Sequence, residues 1–367
     1  MTKISLLTHE FYPKRGGAGI YCEEIAKAAS NLGFKLKVFV PETRGSSDWT
    51  SNYEVLSMPY KQGQGFWNRK KTQKVWLAYR SQLQDSILHI AEPAAMIPFL
   101  AYPSLLKNLK VEKCLLTFHG SEILKFWRKY KKNLSSLIDS ADKITVISPY
   151  VGDLLKKHFI FDPNKLSITP GAPRFLPNLS DLNDRVTEEL IIVCVARLHP
   201  RKGQLALLEA LSLLNHSLQK RLKILFIGQK VNTRYANQLK KFSENLKSKV
   251  EFLDSVSDED LHSHLVRAHI FAMTSMPAGE SIEGLGLSYL EASAYQLPIL
   301  AHDIGGVKFA VLDRISGILV PPSDRVALSQ KLKSLILNEK MRIELGQNGR
   351  KFAEKLSWEA IARETYR

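Results

Sequence analysis

The chain has 367 residues, of which 44% are hydrophobic and 24% charged, and its formal net charge is +16. This length and composition are typical of a soluble globular protein with two domains, each large enough for its own core. No run of about 18 apolar residues occurs, which argues against a membrane-spanning helix. The three cysteines lie far apart without metal-ligand spacing and indicate reduced core thiols: Cys22, Cys114 and Cys194.

The positive charge is concentrated in the N-terminal half. Residues 1–180 contain 26 Lys and Arg against 14 Asp and Glu, whereas the remainder contains 26 against 22. A basic half implies an anionic partner, which is a nucleic acid, a phosphorylated substrate or a membrane surface. The N-terminus lacks the pattern of a signal peptide, so we expect a cytoplasmic protein.

The first elements predict a nucleotide-type βαβ unit. A strand over residues 3–8 is followed by a glycine loop, a helix over residues 20–32 and a strand over residues 36–40. Gly16 and Gly17 in the loop would let the backbone approach a phosphate closely, although a plain turn is the alternative interpretation.

Two basic–aromatic stretches follow, over residues 60–80 and 123–134. The first has six Lys and Arg and no acid, with aromatic residues between the cations. Either stretch would suit a nucleic acid or an anionic membrane. The alternative for each is a solvated helix face with buried aromatic side chains.

Two buried strands are predicted over Ile87–Ile90 and Lys113–Phe118. The apolar segment between them, residues 94–106, is interrupted by Pro98 and Pro103. His119 comes directly after the second strand, at the strand end where open α/β sheets bind ligands. A structural histidine at a strand end is the alternative interpretation.

A polar stretch over residues 178–189 lacks apolar periodicity and predicts a linker between two domains. A buried strand over residues 190–196 follows, then Arg197 and Lys202, which could place two fixed cations on one diphosphate. A solvated basic loop is the alternative. A further strand, Leu222–Ile227, ends in Gly228.

Glu283 and Glu291 are separated by seven residues. Gly284-Leu285-Gly286 follows the first of them and opens a predicted helix that Pro298 ends. A glycine turn at a helix start exposes backbone N–H groups at the positive end of the helix dipole, which favours an anion such as phosphate. We therefore expect the carboxylates to hold different parts of one ligand. A capped, solvated helix is the alternative.

These motifs resemble those of the retaining, nucleotide-sugar-dependent glycosyltransferases of family 4. The resemblance rests on the Glu–seven residues–Glu spacing, on VARLHPRKGQ at residues 195–204, on Gly305-Gly306 and on GILVPP at residues 317–322. It implies the α/β GT-B fold, with two Rossmann-like domains whose parallel sheets face each other across a cleft. The implied domains are an acceptor-side domain over 1–178, a nucleotide-sugar-binding domain over 179–355 and a helix over 356–367 that crosses back to the first domain.

The resemblance also implies roles for individual residues. Glu283 would hold sugar hydroxyls, Glu291 the ribose and Val256 the base, and His119 would line the sugar site. The implied catalytic residues are Glu283, His119, Arg197 and Lys202. The implied donor-binding residues are Gly16, Gly17, Arg197, Lys202, Gly228, Val256, Glu283, Gly284, Leu285, Gly286 and Glu291.

The resemblance implies neither a metal nor a cofactor, with the nucleotide sugar as co-substrate, because Arg197, Lys202 and helix N-termini would supply the counter-charge. The expected partners are a UDP- or GDP-sugar, a glycan or lipid-linked cell-envelope acceptor and, for the basic half, an anionic membrane surface at the inner face of the cell membrane. No nucleic acid partner is expected.

The sequence departs from the family pattern at three places. Gly19 stands where the family often has an acid, TPGAP at residues 169–173 replaces Pro-Asn-Gly-Val, and Lys308-Phe309 replace Pro-Glu. Three alternatives stay open: a nucleic-acid-binding protein, a non-catalytic sugar-nucleotide-binding protein, and a nucleotide-sugar epimerase of GT-B architecture.

Overall fold

The computed structural model describes residues 2–12, 16–42, 52–60, 66–182 and 189–367, without the side chains of residues 66–69. It divides into two compact units. The first comprises Met1–Gly171 and Ser357–Arg367, and the second comprises Ala172–Leu356. Residues 172–178, assigned to the N-terminal domain from the sequence, belong to the second unit. Arg174 pairs there with Glu291 and Asp258, and Arg350 donates a hydrogen bond to the Pro177 carbonyl.

Within the described residues, the first unit has one sheet of seven parallel strands in the order β3-β2-β1-β4-β5-β6-β7. Its strands are β1 (Lys3–Leu7), β2 (Lys35–Pro41), β3 (Glu54–Met58), β4 (Ile87–Ile90), β5 (Lys113–Phe118), β6 (Lys143–Val146) and β7 (Leu166–Ile168). Its helices are α1 (Gly17–Asn31), α2 (Phe66–Ala78), α3 (Arg80–Leu83), α4 (Pro93–Ala101), α5 (Ser104–Leu109), α6 (Ser121–Asp139), α7 (Pro149–His158) and the C-terminal helix Trp358–Tyr366.

The second unit repeats this architecture with six described parallel strands in the order β10-β9-β8-β11-β12-β13. Its strands are β8 (Leu190–Val195), β9 (Leu222–Ile227), β10 (Lys249–Leu253), β11 (Ile270–Met273), β12 (Ile299–His302) and β13 (Gly317–Val320). Its helices are α8 (Gln204–Ser212), α9 (His216–Gln219), α10 (Thr233–Ser243), α11 (Asp258–Arg267), α12 (Leu287–Ala294), α13 (Arg325–Leu337) and α14 (Glu339–Ala353), so the C-terminal helix of the first unit is α15.

Both sheets reverse their strand order at one point, between β1 and β4 in the first unit and between β8 and β11 in the second. Open α/β sheets bind ligands outside the carboxyl ends of the strands at such a point. The segments after these four strands are therefore the expected positions of ligand-binding residues.

The C-terminal helix α15 is held to the first unit by buried aromatic and polar contacts. Trp358 packs edge-on against Tyr21, with ring centroids 5.3 Å apart. The Tyr366 hydroxyl lies 2.8 Å from Nδ1 of His89, whose Nε2 lies 2.7 Å from the Thr117 hydroxyl. Burial, with a smaller contribution from the charge of His119, lowers the pKa of His89 to about 3, so the ring is neutral at physiological pH.

Most strands that the sequence predicts are confirmed, and the apolar segment that contains Pro98 forms a helix. Helix α4 runs through Pro98 to Ala101. The carboxylate of Glu92 caps the helix by accepting hydrogen bonds from the N–H groups of Ala94 and Ala95 at 2.9 Å each. This cap, together with the burial of the apolar side chains, compensates for the hydrogen bond that a proline removes.

Candidate active site

The carboxyl ends of β8 and β11 are tied together by a close approach at Gly203. This glycine has φ +71°, and a Cβ there would lie 1.6 Å from the Thr274 carbonyl oxygen. The Thr274 hydroxyl donates a hydrogen bond of 2.8 Å to the Gly203 carbonyl. The loop between Arg197 and Gly203 is therefore positioned against the end of β11.

The central polar group is the Glu283 cluster, which we define as Glu283, Arg201, Lys202 and Ser275. Oε2 of Glu283 accepts hydrogen bonds from Nζ of Lys202 at 2.7 Å, from a guanidinium nitrogen of Arg201 at 3.0 Å and from the Ser275 hydroxyl at 3.0 Å. Among the described residues, none donates a hydrogen bond to Oε1 of Glu283. The cluster thus orients the carboxylate through one oxygen and leaves the other for a ligand.

The Glu283 cluster holds its carboxylate in the ionised form. Burial opposes ionisation, but the charges of Lys202 and Arg201 and the hydrogen bonds from Lys202 and Ser275 outweigh it and lower the pKa of Glu283. Burial also lowers the pKa of Lys202, against the opposing effect of Glu283. The cluster is therefore a compact group of two cations and one anion at the predicted diphosphate motif.

The turn after Glu283 leads directly into α12, as the glycine motif predicts. Gly286 has φ +90°, and a Cβ there would meet the Tyr289 ring at 2.5 Å. The Gly306 N–H donates a hydrogen bond of 2.8 Å to the Glu283 carbonyl. This bond connects the Gly305-Gly306 segment to the turn. Gly284 and the buried Leu285 lie between Glu283 and the helix start.

Glu291 lies on α12 in a different environment from Glu283. We define the Glu291 cluster as Glu291, Arg174 and Asp258. Nε of Arg174 donates to Glu291 at 2.5 Å, and a terminal guanidinium nitrogen donates to Asp258 at 2.7 Å, with only 6% of the Arg174 side chain exposed. Burial lowers the pKa of Arg174, but the two carboxylates outweigh it and raise that pKa further above its usual range.

Sequence reasoning missed both arginines that hold the carboxylates. Arg174 falls in the segment assigned to the N-terminal domain, and Arg201 lies between the two motif cations without a spacing signal of its own. Their partners lie 117 and 82 residues away in the chain. Only the packing of α12 against these segments identifies them.

Three other predicted donor residues lie at strand ends in the second unit. Arg197 is exposed and forms no ion pair with another described residue. Gly228 has φ +145°, and a Cβ there would lie 2.4 Å from the Ala196 carbonyl oxygen, so a glycine is required for packing of β8 against β9. Val256 is half-buried in the turn before α11.

In the first unit, His119 lies after β5 as predicted and is held by three neighbours. Its Nε2 lies 2.9 Å from the Ala91 carbonyl, so this nitrogen carries a proton, and its ring packs edge-on against Tyr21 at 5.3 Å. Its backbone N–H donates to the buried carboxylate of Glu122, which also accepts from the Gly120 N–H at 2.9 Å. The ring thus has a fixed orientation at the carboxyl end of the sheet.

Gly16 and Gly17 lie at the start of α1, where the Gly16 N–H is already hydrogen-bonded. The Glu10 carboxylate accepts this hydrogen bond at 3.0 Å, and the nearest atom to a Cβ at Gly16 would be the same Glu10 oxygen at 2.6 Å. An acid therefore stands beside the glycine loop although Gly19 replaces the acid expected within it. Residues 13–15 of this loop lie outside the described residues.

The basic–aromatic stretches have buried aromatic side chains and an exposed basic face. Trp76 on α2 and Phe126 on α6 are buried, whereas the lysines of α6 are exposed: Lys125, Lys129, Lys131 and Lys132. For these two aromatic residues the solvated-helix interpretation is correct, because they pack into the core. Residues 61–65 lie outside the described residues.

Among the described residues, no helix combines the length and apolar character needed to cross a bilayer. The same residues contain no group of three or more His, Cys, Asp or Glu side chains placed to hold a metal ion.

Comparison with known proteins assigns the family. Residues 15–172 match the model of Glycosyltransferase Family 4, and residues 179–352 match that of Glycosyl transferases group 1. The chain is a member of glycosyltransferase family 4. The predicted family, the enzyme class and the fold class of two Rossmann-like α/β domains of the GT-B type are therefore confirmed.

A relative and two solved structures match this glycosyltransferase over nearly its whole length. A GDP-mannose-dependent alpha-(1-6)-phosphatidylinositol monomannoside mannosyltransferase from Mycolicibacterium smegmatis is 26% identical over 370 residues, covering 95% of this chain and 93% of the relative. Sucrose-phosphate synthase from Thermosynechococcus elongatus superposes with a TM-score of 0.82 at 20% identity, covering 99% and 97% of the two chains. The Anabaena protein HepE, in complex with UDP and glucose, gives a TM-score of 0.77 at 17% identity and covers 99% and 98%.

Proposed function

We propose that this glycosyltransferase moves a sugar from a nucleoside diphosphate donor to a lipid-linked or cell-envelope acceptor, with retention at the anomeric carbon and without a metal. GDP-mannose is the first donor to test, because the relative from Mycolicibacterium smegmatis is named as dependent on it. A UDP-sugar is the second, since HepE was solved with UDP and glucose.

The observation that carries this proposal is the Glu283 cluster beside the start of α12. A carboxylate oriented through Oε2 can accept hydrogen bonds from sugar hydroxyls through Oε1. The adjoining cations and the first N–H groups of α12 supply positive charge for a diphosphate next to that sugar. The Glu283 cluster and the start of α12 thus offer an acceptor for the sugar hydroxyls and positive charge for the diphosphate.

Cleavage of the donor places negative charge on the leaving diphosphate and oxocarbenium character on the sugar. Arg197, Lys202 and the N-terminus of α12 would stabilise the diphosphate, and Glu283 the sugar. Glu291 would hold the ribose and Val256 the base. Because these groups would supply the counter-charge of the diphosphate, the proposed transfer needs no divalent cation.

In the first unit, His119 would contact the sugar, and Gly16 and Gly17 would approach the phosphate. The Gly16 N–H is bonded to Glu10, so phosphate binding there would require the Glu10 carboxylate to move aside. The acceptor's own hydroxyl proton would pass to the departing diphosphate oxygen on the same face, so we assign no protein nucleophile.

The direct test is an assay of donor hydrolysis and transfer with a panel of nucleotide sugars that includes GDP-mannose and UDP-glucose. We expect turnover of one donor, a product whose anomeric configuration by NMR matches the donor, and unchanged activity with a chelator. Inversion would overturn the retaining assignment. Loss of activity that only Mg²⁺ or Mn²⁺ restores would overturn metal independence, and binding of every donor without turnover would favour a non-catalytic sugar-nucleotide-binding protein.

A further inference from the structure

The first unit contains a cavity of about 270 Å³ between α4 and α6. One wall is apolar and comes from Ile97, Phe126 and Tyr130, while Lys125 and Lys129 stand on α6 at its edge. The two lysines are four residues apart, so they lie on the same face of the helix. The cavity thus combines an apolar wall with charged groups on α6.

Helix α6 is kinked at Tyr130, which lines this cavity. Tyr130 has φ −133° and ψ 28° inside α6, which marks a kink between two helical segments. The Phe126 ring packs edge-on against the Tyr130 ring with centroids 6.2 Å apart, so the kinked turn forms one end of the apolar wall. A straight helix would place the residues of this turn differently.

The cavity carries a net positive charge, because two lysines and one carboxylate, Glu122, line it. One oxygen of the Glu122 carboxylate is committed to the N–H groups of His119 and Gly120. Within the part of the chain that the structure describes, Lys125 and Lys129 form no ion pair. Like charges at this spacing repel on a helix, and an anion bound between them would remove that repulsion.

We propose that this cavity binds the phosphate group of an anionic, amphiphilic acceptor, with Lys125 and Lys129 on the phosphate and the apolar wall against the adjoining chain. Ser121, which lines the cavity, follows His119 by two residues. The cavity therefore lies near the carboxyl end of β5, where His119 is proposed to contact the sugar. The proposal rests on the proposed function for calling the ligand an acceptor. The binding site itself rests on the cavity and its charges.

The test uses short-chain phospholipids below their micelle concentration, so that a membrane surface is absent. Dihexanoyl phosphatidylglycerol provides an anionic phosphate with apolar chains, dihexanoyl phosphatidylcholine has the same chains without net charge, and inorganic phosphate has no chain. Calorimetry with the full chain should give the tightest binding for the anionic lipid. The double variant Lys125→Ala/Lys129→Ala should weaken it about tenfold, or about 1.4 kcal/mol.

The matched control is Lys156→Ala/Lys157→Ala, which removes the same charge from exposed positions on α7. We expect its affinity for the anionic lipid to stay within about twofold of the native protein, a difference well below 1 kcal/mol. An equal loss in both double variants would show a general charge effect and overturn the site. Equal affinities for dihexanoyl phosphatidylglycerol and dihexanoyl phosphatidylcholine would overturn the role of the lysines. An affinity for inorganic phosphate equal to that for dihexanoyl phosphatidylglycerol would overturn the role of the apolar wall.

Failure here can be told apart from failure of the proposed function. The lipid titration involves no donor and no turnover. The native protein could transfer sugar while the Lys125→Ala/Lys129→Ala variant binds the anionic lipid as tightly as the native protein does. That result would disprove the lipid site and leave the proposed function standing. Lysine-dependent lipid binding in a chain that turns over no nucleotide sugar would disprove the proposed function alone.

Discussion

At the scale of single residues, the two motif carboxylates differ in what holds them. Glu283 is bound by Arg201, Lys202 and Ser275, whereas Glu291 is bound by Arg174. Among the described residues, the second oxygen of Glu283 accepts no hydrogen bond, so a ligand bound there would break no ion pair. The Glu291 carboxylate is already paired with the buried Arg174 guanidinium. A substitution of Glu291 would therefore change both donor affinity and the free energy of unfolding.

We predict that Glu283→Gln reduces turnover by about a hundredfold, the order found for removing one group that stabilises transition-state charge. Affinity for the nucleoside diphosphate should remain within about threefold, since Glu283 is assigned to the sugar. Steady-state kinetics and calorimetry with GDP or UDP measure the two effects. A parallel loss of turnover and diphosphate affinity would contradict the assignment.

The cations near Glu283 lead to a second prediction. Arg197→Ala and Lys202→Ala should each weaken nucleoside diphosphate binding by about 1.5–3 kcal/mol, the range for hydrogen bonds to charged groups. Arg201→Ala should weaken it less and lower turnover instead, because Arg201 is assigned only to holding the Glu283 carboxylate and not to the diphosphate. Calorimetry on the three variants compares them directly. Unchanged affinity in both Arg197→Ala and Lys202→Ala would refute the diphosphate assignment.

A third prediction concerns the buried guanidinium of Arg174. Arg174→Ala should destabilise the second unit by about 3–5 kcal/mol, because it leaves the Glu291 carboxylate buried without its partner. Asp258→Ala should cost only about 0–1 kcal/mol, since that carboxylate is 43% exposed. Denaturant unfolding measures both. Equal costs would show that the pair with Glu291 is no stronger than a surface ion pair.

At the scale of elements, the ends of neighbouring strands are brought together by glycine and by buried polar side chains. Gly203 permits contact between the segments after β8 and β11, and Gly228 permits contact between β8 and β9. In the first unit, the hydrogen bonds between His89, Thr117 and Tyr366 connect β4, β5 and α15. Each of these contacts fixes an element that carries, or stands beside, a site residue.

The buried ring of His89, hydrogen-bonded to Tyr366 of α15, makes the free energy of unfolding depend on pH. Because its pKa is about 3 in the folded chain and about 6.5 in an unfolded one, the unfolded chain binds more protons between these values. Stability is therefore lost as pH falls below about 6.5, and one such histidine accounts for about 2 kcal/mol at pH 5.

His89→Gln removes this titration. We predict that the variant is less stable than the native chain at pH 7.5, and that the difference shrinks by about 2 kcal/mol at pH 5. Urea unfolding of both proteins at the two pH values provides the measurement, with Tyr366→Phe as a control that retains the histidine. A stability difference that does not change with pH would mean that His89 does not titrate on unfolding.

At the scale of the whole molecule, a net charge of +16 is larger than a nucleotide-sugar site requires. The second unit contains the predicted donor motifs, yet the charge excess belongs to the N-terminal half. Helix α6 contributes exposed lysines while its Phe126 is buried, so attraction to an anionic leaflet would be electrostatic there rather than through insertion of that ring.

We predict binding to vesicles that contain anionic lipid, strongest at low salt, since each Lys near such a surface contributes about 1 kcal/mol and salt screens it. Changing Lys129, Lys131 and Lys132 together to Glu should abolish it, whereas the same change at Lys156, Lys157 and Lys165 should weaken it less. Co-sedimentation with vesicles of graded anionic content, at low and high salt, provides the measurement. No binding to anionic vesicles at low salt would refute the prediction.

Local patterns in the sequence were sufficient for the positions of the motifs, and the resemblance that those motifs carry was sufficient for the fold class. Apolar runs predicted the central strands, glycines marked the loops, and the Glu–seven residues–Glu spacing located α12 with its preceding turn. These features are determined by residues close in sequence, because strand and helix formation depend on short-range periodicity and backbone freedom. The resemblance to family 4 followed from them.

Only the tertiary structure decided which charges meet. Arg174 and Glu291 are 117 residues apart, and Arg201 and Glu283 are 82 apart, so no spacing rule could pair them. The same holds for the cavity between α4 and α6 and for the burial of Trp76 and Phe126. Ion pairs and cavities depend on how distant segments pack, because charge interactions act through space rather than along the chain.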